Sequence, residues 1–191
     1  SIVTGAGAGM GKAIALLFAG EGSKVLAVDI NLQRLEGLAK EAKEMGLDLT
    51  TLVVDLAKEE DIENMIQTAV KTYGTLDVLV NNAGIMDHFA PVGEVDNNMW
   101  EKVMRINVDA PFKAMRSAVK IFLEKGEGVI VNIASIGGIN GARAGAAYTT
   151  SKHALIGLTK NTGFMYSKSG IRCNAIAPGA VNTSIAETID F

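Results

Sequence analysis

The chain is poor in cysteine and histidine. Its 191 residues include one cysteine and two histidines. A single cysteine excludes a disulfide framework within the chain, and the apolar run around Cys173 predicts a buried structural thiol. This usage is typical of a reducing compartment, so we expect a cytoplasmic protein. The two histidines are scattered and no HxxxH or CxxC spacing occurs, so the sequence predicts no metal site.

Long apolar runs and a strong excess of one charge are also missing. Nothing approaches the roughly 18 consecutive apolar residues of a membrane-spanning helix, and the first residues lack the pattern of a signal peptide. The net charge is -3 and there is no long basic run. We therefore expect neither nucleic acid nor a membrane as a partner.

What is present is an alternation of short apolar segments with longer amphipathic ones. The predicted strands are 2–4, 25–30, 49–54, 76–80, 128–134 and 171–177, and the predicted helices are 12–19, 31–45, 61–73, 97–125 and 148–167. Such alternation indicates a parallel sheet covered by helices on both faces. We predict an α/β fold with a doubly wound parallel sheet of Rossmann type, in a single domain over residues 1–191.

A glycine cluster follows the first predicted strand, with the pattern Thr4-Gly5-x-x-x-Gly9-x-Gly11. Glycines let a backbone approach a pyrophosphate closely, and the following helix N-terminus offers unpaired N–H groups and positive potential. The pattern indicates a phosphate-binding corner. The alternative is a plain glycine-rich turn between strand and helix.

Asp29 ends the second predicted strand. A carboxylate at this position can accept both hydroxyls of an adenosine ribose, and its charge repels a 2′-phosphate. Ala8 and Ile30 provide no cation for such a phosphate. These residues favour NAD over NADP, although Asp29 could also be a solvated residue at a strand end.

Tyr148 and Lys152 are four residues apart in a predicted helix and therefore share one face. An ammonium beside a phenol lowers its pKa, which makes the pair a candidate acid/base centre. The alternative is a packed ring with an amine reaching to the surface. Ser135 ends the fifth predicted strand, on the edge of the sheet where ligands bind.

Asn107 lies inside the long helical stretch, four residues before Pro111. Proline has no N–H to donate to the Asn107 carbonyl, so we predict a kink and a carbonyl that needs a water or another donor. A plain kink in a core helix and a positioned polar group both fit the pattern.

Together these residues resemble, in order and spacing, the motif set of the classical short-chain dehydrogenases/reductases. The matching positions are Thr4, Gly5, Gly9, Gly11, Asp55, Asn81, Asn82, Ala83, Gly84, Asn107, Ser135, Tyr148, Lys152, Pro178 and Gly179. The resemblance covers essentially the whole chain. Members of that family continue with a further helix and a seventh strand, so we expect this sequence to lack the start of strand one and the final helix and strand.

The resemblance implies a role for each position. Cofactor-binding residues would be Gly5, Gly9, Met10 and Gly11 at the pyrophosphate, Asp29 at the adenosine ribose, Asp55 and Leu56 at the adenine, Asn82 along the cofactor, Val181 and Thr183 at the nicotinamide, and Tyr148 and Lys152 beside it. The catalytic residues would be Asn107, Ser135, Tyr148 and Lys152. Tyr148 would move the proton, Lys152 would lower its pKa, and Ser135 would bind the substrate oxygen. Asn107 would hold a water through its carbonyl.

The expected function is that of an NAD(P)-dependent oxidoreductase interconverting a secondary alcohol and its ketone, with NAD preferred and NADP disfavoured. A 3-oxoacyl-thioester and a sugar or polyol both stay open as substrates. The alternative is a catalytically silent NAD-binding sensor or scaffold on the same fold. The resemblance also implies a homotetramer formed through helices 97–125 and 148–167.

Overall fold

The computed structural model describes residues 1–183 and 185, which build a six-stranded parallel sheet. The strands are β1 (Ile2–Thr4), β2 (Val25–Asp29), β3 (Leu49–Val53), β4 (Val78–Asn81), β5 (Gly128–Ile133) and β6 (Ile171–Ile176). Their order is β3-β2-β1-β4-β5-β6, and every neighbouring pair is parallel. The predicted doubly wound Rossmann-type sheet is therefore confirmed. The order reverses between β1 and β4, and the carboxyl ends at such a switch point are where ligands bind.

Helices cover both faces of the sheet. They are α1 (Gly9–Gly20), α2 (Leu32–Glu44), α3 (Glu59–Tyr73), α4 (Asn97–Met104), α5 (Ala110–Lys125) and α6 (Ala146–Met165). Ile2 and Leu26 pack into one buried cluster, whereas their strand neighbours Val3 and Ala27 pack into another. This alternation follows from the two-residue period of strands. Within residues 1–183 and 185, no helix is both long and apolar enough to cross a membrane.

The predicted helix over 97–125 is interrupted. Residues Arg105–Asp109 form a π-helical turn, in which the N–H of Ala110 bonds to the carbonyl of Arg105, five residues back. Pro111 stands in the first turn of α5, where its missing N–H does least harm. The irregularity predicted around Asn107 is thus present, as a π-helical insertion between α4 and α5.

Cys173 is buried in β6, as predicted. Its side chain is 8% exposed, and burial raises the pKa of the thiol to about 12. Its sulfur lies 3.8 Å from Nδ2 of Asn132. The thiol is therefore a protonated core group at neutral pH.

Candidate active site

A cavity of about 610 Å³ opens beyond the carboxyl ends of β1, β2, β3 and β4. Eight of the residues predicted to bind a cofactor line it: Gly5, Gly9, Met10, Asp29, Asp55, Leu56, Asn82 and Thr183. Gly11 and Val181, also predicted, are not part of its wall. The switch point therefore brings together residues that lie far apart in the sequence.

The glycine loop forms one wall of this cavity. Gly5 and Gly9 have φ values of +63° and +53°, which favour glycine. A Cβ on Gly9 would lie 2.9 Å from Cβ of Thr183, so a side chain would close the cleft there. Gly11 instead packs against the carbonyl of Gly5. Helix α1 starts without a side-chain cap, and the N–H groups of its first turn suit an anionic ligand.

Asp29 is held in a fixed orientation on the adjoining wall. Its Oδ2 accepts from the N–H of Gly7 at 2.9 Å, and its Oδ1 accepts from the N–H of Asn31 at 2.9 Å. Arg34, in the first turn of α2, lines the same cavity. Sequence analysis considered only Ala8 and Ile30 as places for a cation and missed Arg34. This wall of the cavity therefore carries a cationic side chain, Arg34, as well as the Asp29 carboxylate.

Thr4 ties the two sides of the switch point together. Its Oγ1 accepts from the N–H groups of Asn82 at 2.9 Å and Ala83 at 3.1 Å. Nδ2 of Asn82 in turn donates to the Thr4 carbonyl at 2.9 Å. These bonds fix the end of β4 against the glycine loop. They give Thr4 and Asn82 a role in shaping the cavity.

The predicted catalytic residues come together at the Gly84 end of the cavity. Tyr148 and Lys152 on α6 are 8% and 3% exposed, and Nζ of Lys152 lies 5.5 Å from the centre of the Tyr148 ring. Ser135 lies beside Tyr148, since a Cβ on Gly137 would lie 3.4 Å from Oγ of Ser135 and 3.6 Å from the Tyr148 ring. A Cβ on Gly84, itself a cavity residue, would lie 3.3 Å from both Nζ of Lys152 and Oδ1 of Asn107. The group thus lies directly behind the cavity wall rather than on it.

The pKa of the Tyr148 phenol is raised in the protein alone. Burial is the main cause, the hydrogen bond from Ser135 opposes it, and the charge of Asp87 raises the pKa further. This is opposite to the lowering predicted from Lys152. The reason is that burial of the phenol dominates its pKa. Lys152 is itself buried, which lowers its own pKa to about 8, and its Nζ donates to the carbonyl of Ile133 at 2.9 Å.

Asn107 acts through its side chain. Its Oδ1 accepts from the N–H of Ile85 at 2.9 Å, and its Nδ2 donates to the Ile85 carbonyl at 2.9 Å and to Oγ of Ser151 at 3.1 Å. The amide therefore joins the loop after β4 to α6. Sequence analysis had considered only its main-chain carbonyl. In the part of the chain that the structure describes, no group of three or more His, Cys, Asp or Glu side chains is placed to hold a metal ion.

A family model described as short chain dehydrogenase matches residues 1–190. The chain belongs to the short chain dehydrogenase family. Membership places the protein among the oxidoreductases, as the motif set predicted. A 3beta-hydroxysteroid dehydrogenase 2 of Eggerthella lenta is 45% identical over 186 residues, covering 97% of this chain and 72% of the relative.

Solved structures agree with this assignment. The crystal structure of levodione reductase has a TM-score of 0.93 and 36% identity, over 97% of this chain and 73% of that one. A putative gluconate 5-dehydrogenase from Beutenbergia cavernae with bound NADP has a TM-score of 0.90 and 39% identity, with the same coverage. A short chain dehydrogenase/reductase from Burkholderia phymatum in complex with NAD has a TM-score of 0.93 and 27% identity, over 98% and 67%.

Proposed function

We propose that this short chain dehydrogenase interconverts a secondary alcohol and its ketone, with Tyr148 as general acid/base and NAD(H) as the preferred cofactor. The observation that carries the proposal is the group formed by buried Tyr148 and Lys152 with half-buried Ser135, behind Gly84 at the end of the switch-point cavity. The glycine cradle and the uncapped start of α1 fit a dinucleotide pyrophosphate. When bound, a nicotinamide dinucleotide would supply or accept the hydride.

The side chains would divide the proton chemistry between them. Oγ of Ser135 accepts from the N–H of Gly137 at 3.0 Å, and on substrate binding its hydroxyl would donate to the substrate oxygen instead of to Tyr148. Tyr148 would take the alcohol proton in oxidation and return it in reduction. The ammonium of Lys152 would favour the phenolate that forms. Burial lowers the pKa of this lysine to about 8, and strongly perturbed pKa values cluster at functional sites.

The substrate is inferred to be a bulky apolar alcohol or ketone. Phe89, Ile139 and Val181 lie on the loops after β4, β5 and β6, and each exposes between 46% and 66% of its surface. Apolar side chains around a site suit an apolar ligand better than a sugar or a polyol. The hydroxysteroid in the name of the 45% identical relative is of this class.

Turnover and binding test the proposal together. NADH binding is followed by fluorescence, and oxidation by NAD is measured with a 3β-hydroxysteroid, a 3-hydroxyacyl thioester and a sugar alcohol. We expect turnover with the hydroxysteroid. Tyr148→Phe should bind NADH normally and lose roughly 10²- to 10⁴-fold in kcat. Equal turnover in Tyr148→Phe would remove the acid/base role, and NADH binding without turnover of any substrate would favour the silent sensor.

We also infer a homotetramer in the cytoplasm. The helices over 97–125 and 148–167 expose large apolar side chains, namely Phe112, Leu123, Phe164 and Met165. Exposed apolar groups on helices indicate contact surfaces. Light scattering should give four times the chain mass, and a monomer would contradict this assembly.

A further inference from the structure

A buried carboxylate lies against the N-terminus of the helix that carries Tyr148. Asp87, in the loop after β4, is 0% exposed. Its Oδ2 accepts from the main-chain N–H of Tyr148 at 2.8 Å, although the two residues are 61 apart in sequence. Its Oδ1 is buried and has no hydrogen-bond partner among the described residues. Burying a carboxylate with so few partners is unfavourable, so the contact requires an explanation.

The turn that carries Asp87 is fastened to α6 at both ends. The N–H of Ala90 bonds to the Asp87 carbonyl at 3.1 Å, and the Ala90 carbonyl accepts from the N–H of Ala146 at 2.9 Å. Between them, His88 and Phe89 have φ values of 54° and 58°. This left-handed conformation is strained for residues with a side chain, and it persists only where the surroundings impose it.

Gly145 makes room for the carboxylate. It is the N-cap residue of α6, and no side chain of its own caps the helix. A Cβ at Gly145 would lie 2.5 Å from both carboxylate oxygens of Asp87. Its φ of −74° is accessible to any residue. Glycine is therefore required here by the lack of space for a side chain and not by the backbone conformation. Asp87 therefore takes the place of a side-chain cap, where a negative charge is favourable.

We propose that Asp87 is a positioning residue for Tyr148, and that by holding the main-chain N–H of this residue it sets where the phenol stands relative to Ser135 and the cavity. The inference deepens the proposed function and rests on the acid/base role of Tyr148. The restraint acts on the backbone of the reacting residue itself. A misplacement of about 1 Å at a reacting group can lower its rate roughly 10²-fold.

The charge of Asp87 also has a measurable effect on the pKa of the Tyr148 phenol. Among the described residues, Ser135 from the loop after β5 and Lys152 from α6 lie beside the Tyr148 ring, and the charge of Asp87 in the loop after β4 acts on the phenol. Burial raises the pKa of Tyr148, the Ser135 hydrogen bond lowers it, and the Asp87 charge raises it. Removing the Asp87 charge should therefore lower the pKa of Tyr148, an effect that loss of the main-chain hydrogen bond alone does not predict.

Three variants separate the hydrogen bond from the charge. Asp87→Ala removes both, Asp87→Asn keeps an acceptor without the charge, and Gly145→Ala pushes the carboxylate away without removing it. Asp96→Ala is the matched control for a lost cap, because Oδ1 of Asp96 accepts from the N–H of Met99 at 2.7 Å in α4. Gly157→Ala, in open space on α6, is the matched control for an added methyl group.

Two measurements need no substrate. Amide hydrogen exchange reports on residues 146–151, and ultraviolet titration, with Tyr148→Phe as the reference, reports the ionisation of the phenol. We expect about tenfold to a hundredfold faster exchange at Tyr148 in Asp87→Ala and Gly145→Ala, the effect of losing a hydrogen bond to a charged acceptor. In Asp87→Asn, the Tyr148 amide should exchange at nearly the wild-type rate, but the Tyr148 phenol should ionise at lower pH. Neither control should change these values.

Wild-type exchange and ionisation in both Asp87→Ala and Gly145→Ala would overturn the proposal. If Asp87→Ala does not fold, Gly145→Ala, which keeps the carboxylate, still tests the proposal. On the hydroxysteroid, Asp87→Ala should lower kcat with little change in KM. If exchange and ionisation shift as expected while the wild type turns over no substrate, the positioning contact stands and the proposed function fails.

Discussion

Lys152 carries a charge that its position disfavours. The amine is buried on α6, and burial lowers its pKa from 10.5 to about 8. At pH 7 it is protonated in both the folded and the unfolded chain. The folded state therefore bears the unfavourable burial of the ammonium. A shift of this size corresponds to roughly 3 kcal/mol of folding free energy.

Replacing Lys152 by methionine should stabilise the protein at pH 7 while abolishing turnover. The variant removes the buried charge, but the Ile133 carbonyl loses its hydrogen-bond donor. That loss cancels about 1 kcal/mol of the stabilisation. We expect the free energy of unfolding in urea to rise by about 2 kcal/mol. Lys160→Met, at an exposed position of the same helix, is the control and should change stability by less than about 0.5 kcal/mol.

The pH dependence gives this prediction a definite sign. Between pH 8 and 10.5 the unfolded chain binds a proton at Lys152 that the folded protein has released. The wild type should therefore gain stability from this group as pH rises through that range. The advantage of Lys152→Met should shrink over the same range. An advantage that does not depend on pH would show that the buried charge is not its cause.

Asp87 and Arg34 show what single residues in a sequence do not reveal. Asp29, Ser135, Tyr148 and the glycines stand at strand ends or at fixed spacings, so their positions could be predicted. Asp87 lies in a loop without periodicity, and its contact with Tyr148 forms only when α6 packs against the loop after β4. Arg34 lines the cavity from the first turn of α2, where its N–H bonds to the Asn31 cap and the N–H of Asn31 bonds to Asp29.

Among the secondary-structure elements, the π-helical turn Arg105–Asp109 connects separate parts of the site. It lies between α4 and α5 and directs Asn107 at both Ile85 and Ser151. Pro111 indicated an irregularity in this helix but not its form. Hydrophobic periodicity cannot distinguish a kink from an inserted residue. The direction of the Asn107 side chain, which depends on that insertion, was therefore beyond sequence analysis.

A double-mutant cycle should detect this connection. Asn107→Ala breaks three hydrogen bonds of a fully buried side chain and should lower the free energy of unfolding by about 3 kcal/mol. Combined with Ser151→Ala, it should show a coupling of about 1 kcal/mol, because the two side chains share one of those bonds. Thr150→Ala, at the exposed neighbouring position, should be additive with Asn107→Ala. Additivity with Ser151→Ala as well would contradict the link between the π-helical turn and α6.

For the whole molecule, the sheet was predictable because its central strands β1, β2 and β4 are buried, while the edge strands β3 and β6 are partly exposed. Short apolar runs separated by amphipathic helices leave little choice but a parallel sheet. The polar wall of the cavity was predictable only at strand ends. The rest of its lining, including Asn98, Glu101 and Lys102 on α4, comes from a helix whose place beside the cavity depends on the tertiary fold.

Because the cavity joins both halves of the sheet, a bound dinucleotide should stabilise the protein as one unit. NADH at about 100 times its Kd should add about 2.7 kcal/mol, which raises Tm by roughly 5 to 10 °C for a chain of this length.

NADPH at the same concentration should give a smaller shift, since Asp29 repels a 2′-phosphate. In Asp29→Ala, the difference between the Tm shifts with NADH and with NADPH should be smaller. In Arg34→Ala, only the Tm shift with NADPH should be reduced. A larger shift with NADPH in the wild type would show that Arg34, not Asp29, decides the choice of cofactor.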